Sequence, residues 1–324
     1  SHGEHEERKI GWLELFYDLV YVATLIQLGD VLSSDVSIGG IVRFVLLFVP
    51  IWWAWTGITF YNNRFVVDDL LHRSLIFIQI MAIAVLGISV KGAFSDLHIQ
   101  FTLAYVVVRV VMILLYVRIA LSVPKASQLA TRYAVGFSIA ATIWFISAFV
   151  PAPFSIVLWV IGMVVDFASP LNAKSVELNR KLPVHIPHMM ERYGIFIIIV
   201  LGESFVKVLS SMSGSQLTIG VGTFGIFAMI VVAGLWWLYF DDIAGVPLRP
   251  ASRSTYTWIY AHLPLAIALT AFGVGAKKLI ELGSDPYLPD KYRWLAGGAL
   301  IIYLVSVGLV NMVLVASSRG LSPR

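Results

Sequence analysis

The chain has 324 residues, of which 59% are hydrophobic and 13% are charged, whereas soluble domains average about 45–50% apolar and about 25% charged residues. Because the apolar residues run in long blocks, the composition excludes an ordinary soluble enzyme and indicates an integral membrane protein. The chain contains no cysteine, which excludes disulfides, zinc–thiolate sites, iron–sulfur clusters and cysteine nucleophiles. The net charge of +4 is typical of basic loops in membrane proteins, so we expect no nucleic-acid partner.

Ten segments are long and apolar enough to cross a bilayer. A spanning helix needs about 20 mostly apolar residues, because the hydrocarbon layer is about 30 Å thick and each residue rises about 1.5 Å. The runs lack the alternation of barrel strands. We therefore predict an all-α fold, a polytopic transmembrane helical bundle of about ten spans. The predicted spans are 11–32, 38–61, 70–91, 97–121, 132–150, 154–171, 194–212, 217–240, 258–276 and 294–315.

The basic residues are divided unequally between the two sides of this bundle. If the N-terminus lies in the cytoplasm, fourteen Lys and Arg residues fall on the cytoplasmic side and six on the other. The positive-inside rule favours that orientation, although the loop between the ninth and tenth spans opposes it. We predict that both termini are cytoplasmic.

Two pairs of adjacent residues recur along the chain at one spacing. Glu7-Arg8 and Trp52-Trp53 recur 184 residues later as Glu191-Arg192 and Trp236-Trp237. Six spans lie between the starts of the copies, so both would have the same orientation, as in transporters with parallel repeats. We predict that spans 1–4 match spans 7–10. The second copy has four spans against six. Either further spans follow the C-terminal residue in the intact protein, which we expect, or the architecture is intrinsically unequal. The predicted regions are a polar segment 1–10, a first repeat 11–182, a second repeat 183–315 and a tail 316–324.

Four motifs carry a resemblance to a known family. They are Glu14-Leu-Phe-Tyr-Asp18-Leu-Val-Tyr-Val22, Phe60-Tyr-Asn-Asn-Arg64-Phe, His188-Met-Met-Glu191-Arg192 and Val200-Leu-Gly-Glu203. In combination they resemble the low temperature requirement protein A family over nearly the whole chain. The resemblance implies a bacterial integral membrane protein with multiple helical spans, located in the inner membrane, and carries no particular activity with it.

Ionisable side chains lie inside several predicted spans, where each costs about 2.5–3.5 kcal/mol and normally has a partner. Glu14 and Asp18 lie four residues apart on one face of the first span. Lys207 follows Glu203 at the same spacing, and Arg109 lies at the centre of the fourth span. These groups either form a structural charge network or provide a proton or substrate site, with the carboxylates as proton or cation sites and the cations as counter-charges.

A second group of acidic and histidine residues falls at the predicted cytoplasmic helix ends. Neutral imidazole and ionised carboxylate are suitable ligands for zinc, manganese or iron, which makes a divalent metal the candidate cofactor. The alternative is a set of solvated helix ends whose charges face water. The candidate metal ligands are Asp68, Asp69, His72, His188, Glu191, Asp241, Asp242 and His262.

These observations favour a proton- or cation-coupled transporter or channel-like protein. One alternative is an intramembrane metal-dependent enzyme that acts on a membrane substrate, which we consider the less favoured class. Another is a sensor or scaffold whose buried charges are structural only. The expected partners are the lipid bilayer and a small ion or solute, and the sequence is compatible with a homo-oligomer.

Overall fold

The structure is a computed structural model that describes residues 10–215, 218–249, 252–282 and 289–315. Within these residues the chain forms eleven α-helices and a short 3₁₀ turn at Val90–Gly92. The helices are α1 (Trp12–Ser34), α2 (Ile38–Arg64), α3 (Leu70–Ser89), α4 (His98–Ser122), α5 (Ser127–Ser147), α6 (Phe154–Ala168), α7 (Ala173–Lys181), α8 (Ile186–Gly214), α9 (Ile219–Asp242), α10 (Ser252–Glu281) and α11 (Asp290–Asn311).

The number of membrane-spanning helices agrees with the sequence. Nine described helices are long and apolar enough to cross a membrane, and the count is ten if the bent pair of α6 and α7 is taken as one span. The predicted all-α fold with about ten spans is therefore confirmed, and the chain is a multi-pass membrane protein.

The sixth predicted span, 154–171, is not one straight helix. Its apolar part, α6, has 15 residues, about 22 Å at about 1.5 Å per residue, which is short for a hydrocarbon layer of about 30 Å. Pro170 follows α6 and has no N–H group with which to continue the helical hydrogen bonds, although Ser169 before it keeps helical φ and ψ angles. The Asn172 side chain then accepts a hydrogen bond from Ser175 N at 2.9 Å and caps α7, which lies at 43° to α6.

The chain divides into two compact units. The first unit comprises the described residues up to Val31 together with Gly39–Arg192, and the second comprises Leu32–Ile38 together with the described residues from Tyr193 onward. The first turns of α8 therefore belong to the first unit and the remainder of that helix to the second.

Aromatic side chains fill much of the interior of the first unit. Trp144 stacks on Trp159 with ring centroids 5.3 Å apart, and Tyr105 lies 4.2 Å from Trp144. Trp53 stacks on Phe167 at 4.2 Å. Aromatic pairs at such distances contribute about 0.5–1.5 kcal/mol beyond the area they bury.

Close approach of helix backbones characterises the second unit. A Cβ atom on Gly273 of α10 would lie 2.9 Å from Ser204 Cα of α8, and one on Gly275 would lie 3.0 Å from Ala296 Cα of α11. Small residues permit such contacts between membrane helices, where van der Waals packing drives association. Ser204 Oγ also donates a hydrogen bond to Leu269 O at 3.0 Å.

The predicted internal repeat is not confirmed. Trp52 and Trp53 of the first copy are buried, with 1% and 5% exposure, whereas Trp236 and Trp237 are 45% and 65% exposed. The recurring tryptophan pairs therefore occupy different environments.

Candidate functional site

A buried ion pair joins α1 to the beginning of α8 within the first unit. Arg192 Nη2 donates a hydrogen bond to Asp18 Oδ1 at 2.8 Å, and Trp55 Nε1 donates to the same oxygen at 2.8 Å. Both charged side chains are 0% exposed. Among the described residues, Asp18 Oδ2 and Arg192 Nε and Nη1 have no hydrogen-bond partner. The described residues thus provide hydrogen-bond partners for only some of the polar atoms of this ion pair.

A second polar group lies next to this pair at the first turns of α1 and α8. His188 Nε2 is 3.5 Å from Glu14 Oε2. The other ring nitrogen, Nδ1, is 3.2 Å from Asn63 Nδ2 at the end of α2. Asn63 also makes two hydrogen bonds to the backbone of His185, which precedes α8. The His188 side chain is fully buried, whereas that of Glu14 is 12% exposed.

A second ion pair is also buried in the first unit. Arg109 Nε is 3.1 Å from Asp166 Oδ2, and both side chains are 0% exposed. The Tyr105 hydroxyl accepts hydrogen bonds from Arg109 Nε and Nη2 at 2.9 and 2.6 Å and donates to Asp166 Oδ2 at 3.0 Å. This arrangement connects α4 to α6 through one tyrosine.

One face of α1 connects the two ion pairs. Tyr17 and Asp18 lie four and three residues before Tyr21, so each is a neighbour of Tyr21 on that side of the helix. The rings of Tyr17 and Tyr21 lie 5.2 Å apart. Tyr17 lies close enough to both Arg109 and Arg192 to interact with each electrostatically. We call Glu14, Asp18, Asn63, His188 and Arg192, together with Arg109, Tyr105 and Asp166, the polar network of the first unit.

The predicted proton and substrate residues divide between the two units. Glu14, Asp18 and Arg109 all lie in the polar network, and the first two are on one face of α1 as predicted. Arg109, however, pairs with Asp166, which the prediction did not include. Glu203 and Lys207 form an ion pair on successive turns of α8 in the second unit. Their roles in transport stay predictions.

Two of the candidate metal ligands, Asp68 and Asp69, lie at the start of α3, and each is paired with an arginine. Arg73 donates two hydrogen bonds to Asp68, at 2.7 and 2.8 Å, and these lower the pKa of that carboxyl. Asp69 pairs with Arg118 and accepts a hydrogen bond from His72 N at 2.9 Å, which caps α3. The Arg118 guanidinium and then this backbone bond lower the pKa of Asp69 to about 2.

The remaining candidate ligands are spread over several surroundings. The ring of His72 stacks on Tyr61 with centroids 5.9 Å apart, while His262 Nε2 lies 2.9 Å from the Tyr239 hydroxyl and its Nδ1 lies 2.6 Å from Trp258 O. Glu191, Asp241 and Asp242 are exposed.

In the part of the chain that the structure describes, no three His, Asp or Glu side chains are arranged to hold a metal ion. Metal binding by the eight candidates stays a prediction.

Several residues of the polar network were missed in the sequence. Asp166 satisfies the rule that selected Asp18, since it is an acidic residue in an apolar helix, and that rule could have found it. Arg192 was noted only for its recurrence and as part of one of the four motifs. Asn63 lies in one of the four motifs, but its role, like that of Tyr105, is revealed only by contacts, with His188 and with Arg109 respectively.

Comparison with known proteins agrees with the resemblance. A family model for bacterial low temperature requirement A protein (LtrA) matches residues 9–322. The chain is also 28% identical to an uncharacterized protein of Rhizobium meliloti (strain 1021) over 284 residues, which cover 83% of this chain and 69% of that protein. No solved structure matches the chain. Three of the four motifs that carry the resemblance meet in the polar network, and the family model covers them all, so the chain belongs to the bacterial low temperature requirement A protein (LtrA) family.

Proposed function

We propose that the protein is a proton-coupled transporter of a small ion or solute, and that the polar network of the first unit is its working site. The observation that carries this proposal is the incomplete pairing of Asp18 and Arg192. A buried charged group normally completes its hydrogen bonds, because an unsatisfied polar atom costs several kcal/mol in an apolar surrounding (about 2–7 kcal/mol). Water or a polar solute would complete the bonds of this pair.

The balance of charge in the network also supports proton binding. The carboxylates of Asp18 and Asp166 are each opposed by a guanidinium, that of Arg192 and that of Arg109. Glu14 adds a further carboxylate, and its ion-pair partner is His188. Histidine is the side chain whose charge changes near neutral pH. One proton shared by Glu14 and His188 would therefore balance the network.

Proton flux in proteoliposomes tests this proposal. The full chain would be reconstituted in vesicles that contain a pH-sensitive dye, with an inside-negative potassium diffusion potential imposed. The vesicles would be assayed alone and with pools of amino acids, sugars and inorganic cations. We expect wild-type vesicles to acidify at least about tenfold faster than Asp18→Asn vesicles, a loss of about 1.4 kcal/mol or more in transition-state stabilisation.

The matched control for Asp18→Asn is Asp30→Asn on the same helix. Asp30 pairs with Lys91 at 3.3 Å, and both side chains are partly exposed, so this variant should acidify at the wild-type rate. Acidification of wild-type vesicles at the rate of empty vesicles with every solute pool would contradict transport and favour a sensor or scaffold.

Metal-dependent catalysis is tested by elemental analysis of detergent-purified protein without a His tag. Stoichiometric zinc, manganese or iron that is lost in His72→Ala or His188→Ala would replace the transporter proposal with the enzyme alternative.

We further propose that the protein lies in the inner membrane with a cytoplasmic N-terminus. The unequal distribution of Lys and Arg supports this orientation. Reporter fusions placed after successive spans would test it, and an extracytoplasmic signal from a fusion in the loop between α2 and α3 would contradict it.

A further inference from the structure

We propose that α7 lies in the membrane interface and, with the beginning of α5, forms a binding surface for the headgroups of anionic phospholipids. We call this surface of the first unit the basic corner. It lies outside the polar network, and the proposal is independent of transport. The cations of the basic corner are Lys125, Arg132, Lys174, Arg180 and Lys181.

The composition and length of α7 are unlike those of the spanning helices. Its nine residues include three Lys or Arg and one Glu, whereas a spanning segment carries few or no charges. The helix is about 13 Å long at about 1.5 Å per residue, and it lies at 43° to α6. A bilayer adapts to a short span such as α6 by thinning locally. These properties suit α7 to the membrane surface rather than to the hydrocarbon layer.

The two sides of α7 have different surroundings. Ser175 and Leu178, which are three residues apart and therefore neighbours on the helix, are buried. The charged residues are exposed, and they are Lys174, Glu177, Arg180 and Lys181. The helix thus packs its small and apolar side against the protein and presents its charged side outward.

Hydrogen bonds to α5 hold α7 in place. The Tyr133 hydroxyl donates to Asn179 Oδ1 at 3.0 Å, and Arg132 Nη1 donates to Asn172 Oδ1 at 3.4 Å. Arg132 on the first turns of α5 therefore lies beside the residue that caps α7. Lys125 precedes α5 by two residues. Cations from two separate segments of the chain are thus brought to one surface.

Positive charge is in excess at this surface. Between residues 119 and 182 the exposed charged side chains are the five cations of the basic corner and one carboxylate, that of Glu177. Glu177 pairs with Lys174 and with Lys181, each at 2.9 Å. One carboxylate cannot balance five cations. The phosphate groups of anionic lipids would supply the missing negative charge, as they do for other basic segments next to a membrane.

Exposed leucines border the basic corner and favour a lipid over a soluble acidic partner. Leu121, on the last turn of α4, is 83% exposed, and Leu171, which precedes α7, is 46% exposed. Lys and Arg near a membrane surface keep their apolar stems in hydrocarbon while the charged ends reach the headgroups. A phospholipid would contact the leucines with its acyl chains and the cations with its phosphate, whereas a soluble partner would leave the leucines in water.

The chemistry of the cations predicts which headgroup they prefer. The guanidinium groups of Arg132 and Arg180 can each donate two parallel hydrogen bonds to a phosphate, while the lysines act as point charges. Phosphatidylcholine carries the same phosphate next to a quaternary ammonium, whose charge opposes the cations of the protein. Phosphatidylglycerol lacks that ammonium. The basic corner should therefore select phosphatidylglycerol.

Fluorescence quenching measures which lipid collects at the basic corner. Since the chain has no cysteine, a bimane label can be attached at Leu171→Cys. The full chain would be reconstituted in vesicles of equal parts phosphatidylglycerol and phosphatidylcholine, with bromine on the upper acyl chains of one lipid or of the other. We expect the local ratio of phosphatidylglycerol to phosphatidylcholine to exceed the bulk ratio at least about fivefold, the effect of about one cation near a membrane surface.

Two outcomes of this measurement would overturn the proposal. Equal quenching by the two brominated lipids would show that the surface does not select anionic lipid. Absence of quenching by either lipid would place the basic corner outside the bilayer and leave it to an acidic protein partner.

Charge variants of α7 decide whether the selection belongs to the basic corner. Lys174→Gln/Arg180→Gln/Lys181→Gln should bring the local lipid ratio close to the bulk ratio. Lys174→Arg/Lys181→Arg keeps the charge and should keep the selection, which separates loss of charge from damage to the helix. A selection that persists in the glutamine variant, or is lost in the arginine variant, would contradict the proposal.

The matched control neutralises three cations of the second unit, as Lys278→Gln/Lys291→Gln/Arg293→Gln. Lys278 pairs with Glu281 and Arg293 with Asp290, and the net charge changes as much as in the glutamine variant of α7. The label should report the wild-type lipid ratio. A ratio lowered as far as in the α7 variant would show that the total charge of the protein attracts the lipid and would refute a specific surface.

Salt provides a second measurement of the same surface. An increase in potassium chloride from about 0.1 M to about 1 M shortens the screening length from about 10 Å to about 3 Å. The selection should therefore be largely lost, while total quenching by the two lipids together stays the same. Selection that is unchanged at the higher salt would overturn binding by charge. None of these results depends on proton flux, so this proposal and the transporter proposal can fail separately.

Discussion

The buried charges of the two units are organised differently. In the first unit, Arg192 pairs with Asp18 across 174 residues of chain, and Arg109 pairs with Asp166 on another helix. The ion pairs described in the second unit join residues three or four apart on one helix, as for Glu203 and Lys207. A pair within one helix survives when helices separate, whereas a pair between helices does not. Charge therefore joins different helices in the first unit, whereas the contacts between helices in the second unit include close backbone packing at Gly273 and Gly275.

The largest effect should come from removing Arg192. We expect Arg192→Leu to lower the free energy of unfolding by about 3–5 kcal/mol, because it leaves the Asp18 carboxylate buried without its counter-charge. Lys207→Leu likewise leaves the Glu203 carboxylate buried without its counter-charge and should also destabilise the protein, although its pair connects no two helices. Reversible unfolding in mixed detergent micelles measures both.

The double variant Asp18→Asn/Arg192→Leu is the control for that change. It removes the unpaired charge and should recover most of the loss. A double variant as unstable as Arg192→Leu alone would show that packing of the arginine, not its charge, holds α1 to α8.

A smaller difference in the loss of unfolding free energy is expected between Phe variants of two buried tyrosines, one in each unit. Tyr105→Phe removes a hydroxyl that bonds to two charged groups and should cost about 1.5–3 kcal/mol. Tyr303→Phe removes one bond to a backbone carbonyl, that of Leu235, and should cost about 0.5–1.5 kcal/mol. The same unfolding assay compares them, and equal losses would contradict the special role of charge in the first unit.

Two glycine-to-alanine substitutions in the second unit should change the free energy of unfolding in opposite directions. Gly273→Ala would place a methyl group 2.9 Å from Ser204 Cα, and such overpacking costs about 1–3 kcal/mol. Gly234→Ala on α9 meets no atom within 4 Å and should stabilise by up to about 1 kcal/mol, because alanine favours a helix over glycine. A stabilising Gly273→Ala would refute the close packing of α8 on α10.

The smallest effect should be the acid sensitivity of Asp69 at the surface of the first unit. Arg118 lowers the pKa of this carboxyl to about 2 in the folded protein, below the ordinary value of about 3.9. Its contribution to stability is therefore complete above pH of about 4 and is lost as the pH falls through about 2. The melting temperature of wild-type protein should fall more steeply over this range than that of Asp69→Asn, and parallel curves would contradict the pairing.

The sequence predicted most of the features that depend on a single segment of the chain. Apolar runs of sufficient length fixed the helical class and about ten spans, because a helix in lipid satisfies its backbone locally and depends little on its neighbours. The same reasoning marked Asp18 and Glu203 as costly residues that need partners, and the i to i+4 spacing correctly joined Glu203 to Lys207. The break after α6 was not predicted, although Pro170, a local signal, lies there.

Only the tertiary structure decided which distant side chains meet. Asp18 could have paired with any buried cation, and its selection of Arg192 over Arg109 depends on how α1, α4 and α8 pack. The roles of neutral residues such as Asn63 and Tyr105 could not be predicted either, because residues that form hydrogen bonds between helices have no characteristic separation in the sequence. Hydrophobicity and helix length are properties of one segment, whereas an ion pair requires two segments to come together. Which segments come together is determined by the packing of all the helices.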